Sequence, residues 1–511
     1  MSGVVTVIES SGAEHGIGIE DDGQTLARAI WLSGVVPPPA LCSGLGRCGA
    51  CRVRFREGTP EPCWADAAIL GADAVRDGWR LACRHRPAPG MVVELPPPPS
   101  ENRKRNVFAA DGGPFRLAVD VGTTSVHWRL LDGAGADAAS GQSLNPQMGA
   151  GSDVVSRLAT ARTPEGRRRL QGLVLRLLHR LVSGFGVPVE ELCVAGNTAM
   201  TAILLDEDVS GLAAAPYRLP EAGGRTVTWP GLPPAWIPPQ PAPFIGGDIS
   251  AGMAALLYGE TPVFPFVLAD LGTNGEFVLA LDAERSFVAS VPLGPSLEGI
   301  GLRYGGVADT GSVSAFTLGP LGLSASVIGG GAPIRICGTG YLSLIDVLLR
   351  AGFLDATGRL QERPTSPLAA RLVRSVERGP SGWSLPLPGG MALAGADVEE
   401  ILKVKAAFSL ALESLLDAAG LESRSLARVA LGGALGEYVP GGALENLGFL
   451  PQGLRARTVA ADNTSLRGAA LLLERPELRE RLTRWSARCG LVDLTARPGF
   501  TELYMRHMVF G

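Results

Sequence analysis

The stretch LCSGLGRCGAC, residues 41–51, organises this chain of 511 residues. It places Cys42, Cys48 and Cys51 at a C-x5-C-x2-C spacing, and RLACRHR supplies a further cysteine at Cys83. Thiolates at this spacing can ligate both irons of a [2Fe–2S] cluster from one loop, and a distant cysteine completes the site. The glycines between them suit a tight loop that aims backbone N–H groups at sulfur. We therefore expect these four cysteines to hold a [2Fe–2S] cluster.

Two alternatives concern this loop. A structural zinc site usually pairs two C-x2-C knuckles, and Cys83 has no near partner cysteine in the sequence. Cys63 competes with Cys83 as the fourth ligand, and we prefer Cys83 because ferredoxins that look like this leave a long gap before their last ligand. The first spacing is one residue longer than the C-x4-C-x2-C of plant-type ferredoxins.

Composition bounds the class of protein. At roughly 150 residues per domain, the length predicts about three domains. The hydrophobic content is 46%, the formal net charge is −4, and no basic face is visible, so we expect no nucleic-acid partner. The sequence shows neither a signal peptide nor an apolar run long enough for a transmembrane helix. Scattered cysteines such as Cys193, Cys337 and Cys489 fit reduced thiols in a cytoplasm.

The first 97 residues read as a small β-rich domain. VVTVIE predicts an opening strand, QTLARAIWLSG a helix, and ACRVRFREG and MVVEL further strands. This order predicts a β-grasp fold. The run PPPPSENRKRNVFAADGGP follows, and we expect a linker over residues 98–114 that is stiff at first and then flexible.

From Phe115 onward, strands and helices alternate. Thr163 and Pro164 predict a helix start, and Asp397 is expected to be the N-cap of a long helix with Glu400 three residues later. The Pro-rich stretch 229–244 is expected to be an ordered loop outside the core.

An internal repeat indicates a duplicated α/β fold. DVGTTSVHWRLLD, residues 120–132, and DLGTNGEFVLALD, residues 270–282, share Asp, Gly, Thr and a closing Leu-Asp pair in register. Each reads as strand, Gly-containing turn and strand, so we expect one phosphate loop in each half. A lone copy could be an ordinary hairpin turn, but two copies in register are more specific.

The repeat carries residues that suit phosphate and magnesium. Gly122 and Gly272 allow close backbone approach to phosphate, and the nearby amides and hydroxyls can donate hydrogen bonds to it. Asp120 and Asp270 end strands, where a carboxylate can hold Mg²⁺, usually through water. No G-x-x-x-x-G-K-[ST] motif is present, so this is not a P-loop site.

A third glycine motif, VALGGALGEY at residues 429–438, completes the pattern. We expect Val429–Leu431 to end a strand and Gly432 and Gly433 to open a helix. In a duplicated fold of this kind such a glycine pair lies against adenosine.

Together these motifs resemble the reductive activators of corrinoid enzymes, which join a [2Fe–2S] ferredoxin domain to an actin-like ATPase domain of the ASKHA (ribonuclease H-like) type. The resemblance covers essentially the whole chain and implies a first half at 115–260 and a second half at 261–511. It rests on the cysteine loop, DVGTTS 120–125, NPQ 145–147, GSDVVSR 151–157, GNTAM 196–200, GGDISAG 246–252, DLGTNGE 270–276, GPSLEG 294–299, ICGTG 336–340, LGGALGEY 431–438 and DNTSLRGAA 462–470.

The resemblance implies an ATP-dependent corrinoid reductase. Such proteins reduce Co(II) to Co(I) in a corrinoid protein of a methyltransferase system, using an upstream electron donor, and act as cytoplasmic homodimers. Plant-type clusters lie near about −400 mV, and the cobalt couple lies lower, so ATP must drive the transfer. For one electron, about 59 mV corresponds to a factor of ten in the equilibrium constant.

The resemblance also implies residue roles. The residues expected to cradle phosphates are Gly122, Thr123, Thr124, Gly272, Thr273 and Asn274. Gly432 and Gly433 are expected to face adenosine, and Asp120 and Asp270 to help hold Mg²⁺. Asp248 and Glu298 are candidates to orient water, although Asp248 could equally be a helix N-cap and Glu298 a surface charge.

Three competing interpretations stay open. The ATPase could serve another low-potential metalloenzyme, although the separate cysteine-loop domain argues against this. The protein could be a non-catalytic redox or electron-carrier protein that only binds a partner. A small-molecule kinase would need an acceptor pocket that no motif identifies.

Overall fold

The computed structural model describes residues 3–19, 23–39, 41–46, 48–97, 103–105, 113–272, 274–293, 295–298, 302–306, 308–379, 382–433 and 441–511. The chain divides into two compact units. The first comprises Met1–Ala255 and Ser465–Thr483, and the second comprises Leu256–Thr464 and Arg484–Gly511. Within the described ranges, every helix is too short or too polar to cross a membrane.

The first unit opens with a five-stranded mixed sheet in the order β2-β1-β5-β3-β4. Its elements are β1 (Gly3–Ile8), β2 (Glu14–Ile19), α1 (Leu26–Leu32), β3 (Arg52–Glu57), α2 (Trp64–Leu70), α3 (Ala72–Arg76), β4 (Trp79–Leu81) and β5 (Val92–Glu94). Thr25 caps α1, whose Ile30 and Trp31 are buried in the core of this region. A mixed sheet covered by one main helix confirms the predicted β-grasp fold.

A seven-stranded sheet follows in the order β11-β12-β10-β7-β8-β9-β6. The elements are β6 (Arg103–Arg105), β7 (Phe115–Val121), β8 (Ser125–Leu131), β9 (Asp137–Leu144), α4 (Val154–Ala161), α5 (Pro164–Gly184), β10 (Val189–Gly196), α6 (Thr198–Leu204), α7 (Ser210–Ala213), β11 (Arg225–Val227), β12 (Ala235–Ile237) and α8 (Gly247–Ala254). Thr163 caps α5 and Pro164 is its first residue, as the sequence predicts.

The second unit contains a six-stranded sheet in the order β23-β22-β13-β14-β15-β24 and two three-stranded sheets, β17-β16-β18 and β19-β20-β21. The strands are β13 (Phe266–Leu271), β14 (Asn274–Ala280), β15 (Ser286–Pro292), β16 (Ser312–Gly319), β17 (Gly322–Val327), β18 (Arg335–Ile336), β19 (Glu377–Gly379), β20 (Gly382–Pro386), β21 (Ala392–Ala394), β22 (Arg428–Gly433), β23 (Thr458–Ala460) and β24 (Gly490–Leu491). The helices are α9 (Gly338–Ala351), α10 (Pro367–Arg374), α11 (Gly395–Ala419), α12 (Gly441–Asn446), α13 (Thr464–Glu474), α14 (Leu478–Arg488) and α15 (Phe500–Arg506), of which α13 and α14 belong partly to the first unit.

The two large sheets repeat one topology. In the first, β7, β8 and β9 pair antiparallel in sequence, and β10 lies parallel to β7. In the second, β13, β14 and β15 pair antiparallel in sequence, and β22 lies parallel to β13. This shared order confirms that the α/β fold is duplicated.

Two predicted loops contain strands. The stretch 229–244 contains β12, whose three residues are buried between β11 and β10, so its assignment as a loop outside the core is wrong. The prolines lie outside the paired residues, where a missing N–H does not break the sheet. In the expected linker, residues 103–105 form β6 and pair with β9 at the sheet edge.

The predicted start of the long helix at Asp397 is also wrong. Helix α11 begins at Gly395 after the N-cap Ala394, and Asp397 is its third residue. The Asp397 carboxylate accepts hydrogen bonds from the Ala394 N–H and the Arg303 N–H, both at 2.9 Å. Gly432 and Gly433 are the last residues of β22, so the strand ends two residues later than predicted, and residues 434–440, where the expected helix would begin, lie outside the described residues.

Candidate functional site

The four predicted cluster cysteines line one cavity of about 160 Å³ in the first unit. Cys51 immediately precedes β3, and Cys83 lies in the 3₁₀ turn after β4. Strands β3 and β4 pair with Arg52 opposite Leu81, so the sheet brings these two cysteines together. The loop before β3 supplies the other two. Four side chains that are spread along the sequence from Cys42 to Cys83 therefore converge.

The loop geometry suits a cluster. Gly44, Gly46 and Gly49 all have positive φ angles between 69° and 81°, which lets the loop turn tightly. The Ala50 N–H lies 3.4 Å from the Cys48 sulfur, which is the kind of N–H···S contact that stabilises a ligating thiolate.

The thiols hydrogen-bond in two pairs, Cys42 with Cys48 and Cys51 with Cys83. A hydrogen bond with Cys42 raises the pKa of Cys48, and a hydrogen bond with Cys83 raises the pKa of Cys51. The second contact correspondingly lowers the pKa of Cys83. Four cysteines that line one cavity and hydrogen-bond in two pairs are a donor set that fits a [2Fe–2S] cluster, and all four would serve as its ligands.

Cys63 belongs to a different group of side chains. It is the N-cap of α2. Its Sγ lies within 4.8 Å of a carboxylate oxygen of Asp66 and of a ring nitrogen of His85. The fully buried Asp66 carboxylate accepts the N–H groups of Cys63 and Leu81 and lies 2.8 Å from the His85 Nε2. Burial alone would raise the pKa of Asp66, but these hydrogen bonds outweigh it and lower the pKa. The group fastens α2 to the segment that carries Cys83.

The first predicted phosphate loop is the turn between β7 and β8. The Gly122 N–H donates to the Ser125 carbonyl at 3.0 Å and closes the turn. A side chain at Gly122 would come within 2.9 Å of that carbonyl, so the turn requires glycine. Thr123 Oγ1 accepts a hydrogen bond from the side-chain amide of Asn197, which is the N-cap of α6.

Asn145 holds the same turn from the other side. Its backbone N–H donates to the Thr124 carbonyl at 2.9 Å, and its side-chain Nδ2 donates to the Gly122 carbonyl at 2.7 Å. Asn145 is completely buried. Neither Asn145 nor Asn197 was among the predicted site residues, although the motifs NPQ and GNTAM contain them.

Two predicted carboxylates lie in the first unit. Asp120 is on β7, and its Oδ1 accepts a hydrogen bond from the Ser465 hydroxyl at 2.9 Å. Asp248 is the second residue of α8, whose N-cap is Gly246, so Asp248 is not the N-cap. Its Oδ1 accepts the Ile249 N–H at 2.8 Å.

The second predicted phosphate loop joins β13 and β14. The Gly272 N–H donates to the Asn274 carbonyl at 2.9 Å, while Thr273 lies outside the described residues. Asp270 on β13 is in register with Gly432 on β22. A side chain at Gly433 would lie 2.5 Å from the Asp270 Oδ1, so the glycine pair packs directly against this carboxylate.

The buried residue Glu276 is a second carboxylate beside Asp270, and it was not among the residues predicted from the sequence. It lies opposite Asp270 in the β13–β14 register, so both carboxylates are on one face of the sheet. Paired carboxylate oxygens are ligands that suit Mg²⁺. The predicted water-orienting residue Glu298 ends a short 3₁₀ turn, and its side chain lies outside the described residues.

The fold and the cysteine cavity define a class: a [2Fe–2S] β-grasp domain joined to a duplicated ASKHA-type fold. Family models agree with each part. Residues 10–88 match the 2Fe-2S iron-sulfur cluster binding domain, residues 115–258 the RACo middle region, and residues 265–511 the C-terminal domain of RACo, the ASKHA domain. The chain belongs to this family, the reductive activators that its motifs resemble.

Individual proteins are similar over different spans. The corrinoid activation enzyme RamQ of Eubacterium limosum is 25% identical over 453 residues, which are 81% of this chain and 72% of that protein. A solved structure of a reductive activator for corrinoid, iron-sulfur protein covers 99% of this chain and 98% of its own, with a TM-score of 0.68 and 20% identity, which supports the fold.

The cysteine-loop domain has a separate set of relatives. One component of the Na(+)-translocating NADH-quinone reductase of Actinobacillus pleuropneumoniae serotype 5b (strain L20) is 33% identical over 95 residues, which are 19% of this chain and 23% of that protein. This likeness is confined to the cysteine-loop domain.

Proposed function

We propose that the protein is an ATP-dependent reductive activator that reduces Co(II) to Co(I) in a corrinoid protein of a methyltransferase system. The observation that carries the proposal is the convergence of four cysteines on one cavity in the same compact unit as a hydrogen-bonded phosphate loop. A [2Fe–2S] cluster held by these cysteines supplies single electrons. The named relatives RamQ and the reductive activator support a corrinoid client.

Each half of the duplicated fold has its own part in nucleotide binding. The turn at Gly122–Thr124, held by Asn145 and Asn197, presents backbone and hydroxyl groups to a phosphate. In the second unit, Asp270 would hold Mg²⁺ together with Glu276, and the glycine pair beside Asp270 would receive the adenosine. Asp120, Asp248 and Glu298 keep their predicted roles at the magnesium ion and the attacking water.

The remaining parts of the proposal concern the electron donor, the assembly, the location and the domain boundaries. We propose an upstream electron donor, a homodimeric assembly and a cytoplasmic location. The division into residues 1–97, 98–114, 115–260 and 261–511 is also kept as a proposal.

Cobalt reduction followed by visible absorbance tests the function. The protein, purified anaerobically with its cluster, is mixed with a Co(II) corrinoid protein and a reductant, and Mg·ATP is then added. A Co(I) band should form only with ATP, and Cys48→Ala and Asp270→Ala should each abolish it. Intact ATP turnover and cluster content without Co(I), across several corrinoid proteins, would redirect the proposal to another metalloprotein client.

A further inference from the structure

The middle region covers the cysteine cavity. Residues 148–151, which follow Asn145 in a 3₁₀ turn and its end, line the cavity together with the four cysteines. Met148 is buried in the hydrophobic core of the β-grasp domain. A side chain at Gly149 would come within 2.9 Å of the Leu32 backbone nitrogen. The cover is therefore closely packed.

The cysteine loop is bonded to the same segment. Ser43, next to Cys42, accepts the Ser152 N–H at 2.8 Å and donates its hydroxyl to the Asp153 carboxylate at 2.8 Å. Ser43 has a φ of 48°, a left-handed conformation that costs a non-glycine residue energy. Such strain persists only where the surroundings enforce it, and here the two bonds to residues 152 and 153 do so.

A buried network connects this cover to the phosphate loop. The side-chain Nδ2 of Asn145 that donates to the Gly122 carbonyl also lies 3.7 Å from the Met200 sulfur. Arg157 donates its Nη1 to the same sulfur at 3.2 Å. Its Nε donates to the carbonyl of Gly151, which lines the cysteine cavity, at 3.0 Å. The path therefore runs from phosphate loop to cavity through one sulfur atom.

The network is incompletely satisfied. Arg157 is 0% exposed, and among the described residues its Nη2 has no hydrogen-bond partner. Gln147, in the 3₁₀ turn, also has a buried Oε1 that finds no hydrogen-bond partner in the described part of the chain. Burial also lowers the pKa of Arg157 to about 9. Each buried polar group without a partner has lost its hydrogen bonds to water and destabilises this arrangement. A network with such a cost is one that a small rearrangement can improve, as a two-state element requires.

We propose that Asn145 and Arg157 are positioning residues that couple nucleotide binding at the Gly122–Thr124 loop to the electronic environment of the four-cysteine cavity. This inference rests on the proposed function. A phosphate that accepts hydrogen bonds from the backbone N–H and hydroxyl groups of this turn shifts the turn, and with it the Gly122 and Thr124 carbonyls to which Asn145 donates. The change passes through Met200 and Arg157 to Gly151, which lines the cavity. Charges and hydrogen bonds around a cluster set its reduction potential.

Thermodynamic reciprocity provides the test. If nucleotide shifts the reduction potential, the oxidation state must shift the nucleotide affinity by the same factor. We expect the dissociation constants of a non-hydrolysable Mg·ATP analogue for the oxidised and the reduced holoprotein to differ about tenfold, a coupling that corresponds to about 59 mV for one electron. Calorimetry gives the affinities, and a redox titration followed by electron paramagnetic resonance gives the potential. Neither requires a corrinoid protein.

Two variants interrupt the path without touching the phosphate loop. Met200→Leu removes the sulfur that Asn145 and Arg157 share at nearly constant volume. Ser43→Gly removes the hydroxyl while suiting the left-handed backbone. Arg169→Gln is the matched control, because Arg169 donates to the Leu32 carbonyl and so joins the same two domains away from the phosphate loop. The quantity compared is the ratio of the two dissociation constants of the analogue, for the oxidised and the reduced protein. We expect this ratio to be near one in both path variants and to keep its wild-type value in the control.

The outcomes separate the two proposals. A wild-type ratio of one, with tight nucleotide binding and a full cluster, would overturn the coupling and leave the proposed function standing. The full ratio in Met200→Leu would overturn this path. Absence of any nucleotide binding would overturn the proposed function itself. If a variant does not fold, hydrogen exchange in the wild-type protein provides the test. We expect the exchange rates of the amides in residues 41–53 to change when the analogue binds. Unchanged rates would overturn the inference.

Discussion

At the residue scale, the identity of the fourth cluster ligand can be decided. Cys83 lines the cavity with Cys42, Cys48 and Cys51, whereas Cys63 caps α2 beside Asp66. Cys83→Ala should therefore lose most of its bound iron and the visible absorption of the cluster, because a [2Fe–2S] cluster needs four ligands. Iron and sulfide analysis of the purified variant measures this.

The control for that variant is Cys63→Ala, which should keep wild-type iron content and lose only some stability. A cap substitution costs about 0.5–2 kcal/mol. Loss of iron from Cys63→Ala with retention in Cys83→Ala would reverse the assignment.

The glycine pair beside Asp270 gives a second residue-scale prediction. Gly433 has a φ of 72°, and a side chain there would lie 2.5 Å from the Asp270 Oδ1. At Gly432 the nearest Asp270 atom would be at 3.6 Å, an ordinary contact. Gly433→Ala should lower the free energy of unfolding by about 1–2 kcal/mol from the backbone alone. By displacing Asp270 it should also reduce ATP turnover by about tenfold, which is about 1.4 kcal/mol of barrier.

Gly432→Ala is the matched comparison for stability and should retain the wild-type free energy of unfolding, because its side chain would make only an ordinary contact with Asp270. Urea unfolding measures the free energy of unfolding, and a phosphate-release assay measures the ATP turnover. Equal loss of stability in both variants would mean that the contact with Asp270 is not what requires glycine at this site.

The sequence identified residue types at this scale better than residue partners. The cysteine spacing selected Cys42, Cys48 and Cys51, whereas the preference for Cys83 over Cys63 came from the likeness to ferredoxins. Asn145 and Arg157 lay within quoted motifs, but nothing in their spacing shows that both are buried or that both reach Met200. Their roles depend on contacts between segments far apart in the chain.

At the element scale, local signals worked where local chemistry decides. Thr163 and Pro164 started α5 as predicted, because a capping side chain and a fixed φ act within one turn. The prediction that Asp397 is an N-cap was wrong, because a carboxylate at the third helical position can also accept a hydrogen bond from the N-cap N–H. Strand β12 was missed because Ala235–Ile237 owes its pairing to Leu192 and Cys193 on β10, which sequence proximity does not reveal.

Helix α11 yields a prediction about pH. Lys405 is buried and donates to the His507 carbonyl at 3.2 Å, and burial lowers its pKa to about 8. In the unfolded chain the pKa of a lysine is about 10.4. Between pH 8 and that value the unfolded chain therefore binds more protons than the folded chain, so the free energy of unfolding rises with pH. Below pH 8 both states are protonated and the cost of the buried charge is fully present. Lys405→Met should be more stable at pH 7 and should lack the rise above pH 8.

Thermal unfolding at pH 7, 8, 9 and 10 measures this dependence. Lys403→Met, a substitution of a more exposed lysine on the same helix, should change stability by less than about 0.5 kcal/mol and keep the wild-type dependence. A wild-type profile that is flat or falling between pH 8 and pH 10, with Lys405→Met identical to it, would contradict the assignment.

At the scale of the whole molecule, the repeat predicted the duplicated fold, but it could not predict how the chain divides. Residues 465–483 belong to the first unit although 209 residues of the second unit precede them in the chain. The contacts that place them there join segments hundreds of positions apart. Arg116 donates to the Leu473 carbonyl at 2.6 Å, and Ser465 bonds Asp120.

A bidentate ion pair attaches this segment to the rest of the first unit: Arg479 donates to Glu191 at 2.7 and 3.0 Å. The Arg479 guanidinium also lies 5.4 Å from the centre of the Trp236 ring. Arg479→Met should loosen residues 465–483 and leave Glu191 half-buried without its partner, at a cost of about 1–3 kcal/mol. Hydrogen exchange should show faster exchange in this segment, and ATP turnover should fall because Ser465 holds Asp120.

The double variant Arg479→Met/Glu191→Met separates the unpaired charge from the lost attachment. Replacing both members of a buried pair by apolar side chains removes the desolvated charge, so the double variant should recover part of the stability. Glu477→Gln, which removes an exposed carboxylate whose ion pair with Arg475 lies within the segment, should leave exchange in the segment unchanged. If the double variant is as unstable as Arg479→Met, the stacking on Trp236 rather than the ion pair attaches the segment to the first unit.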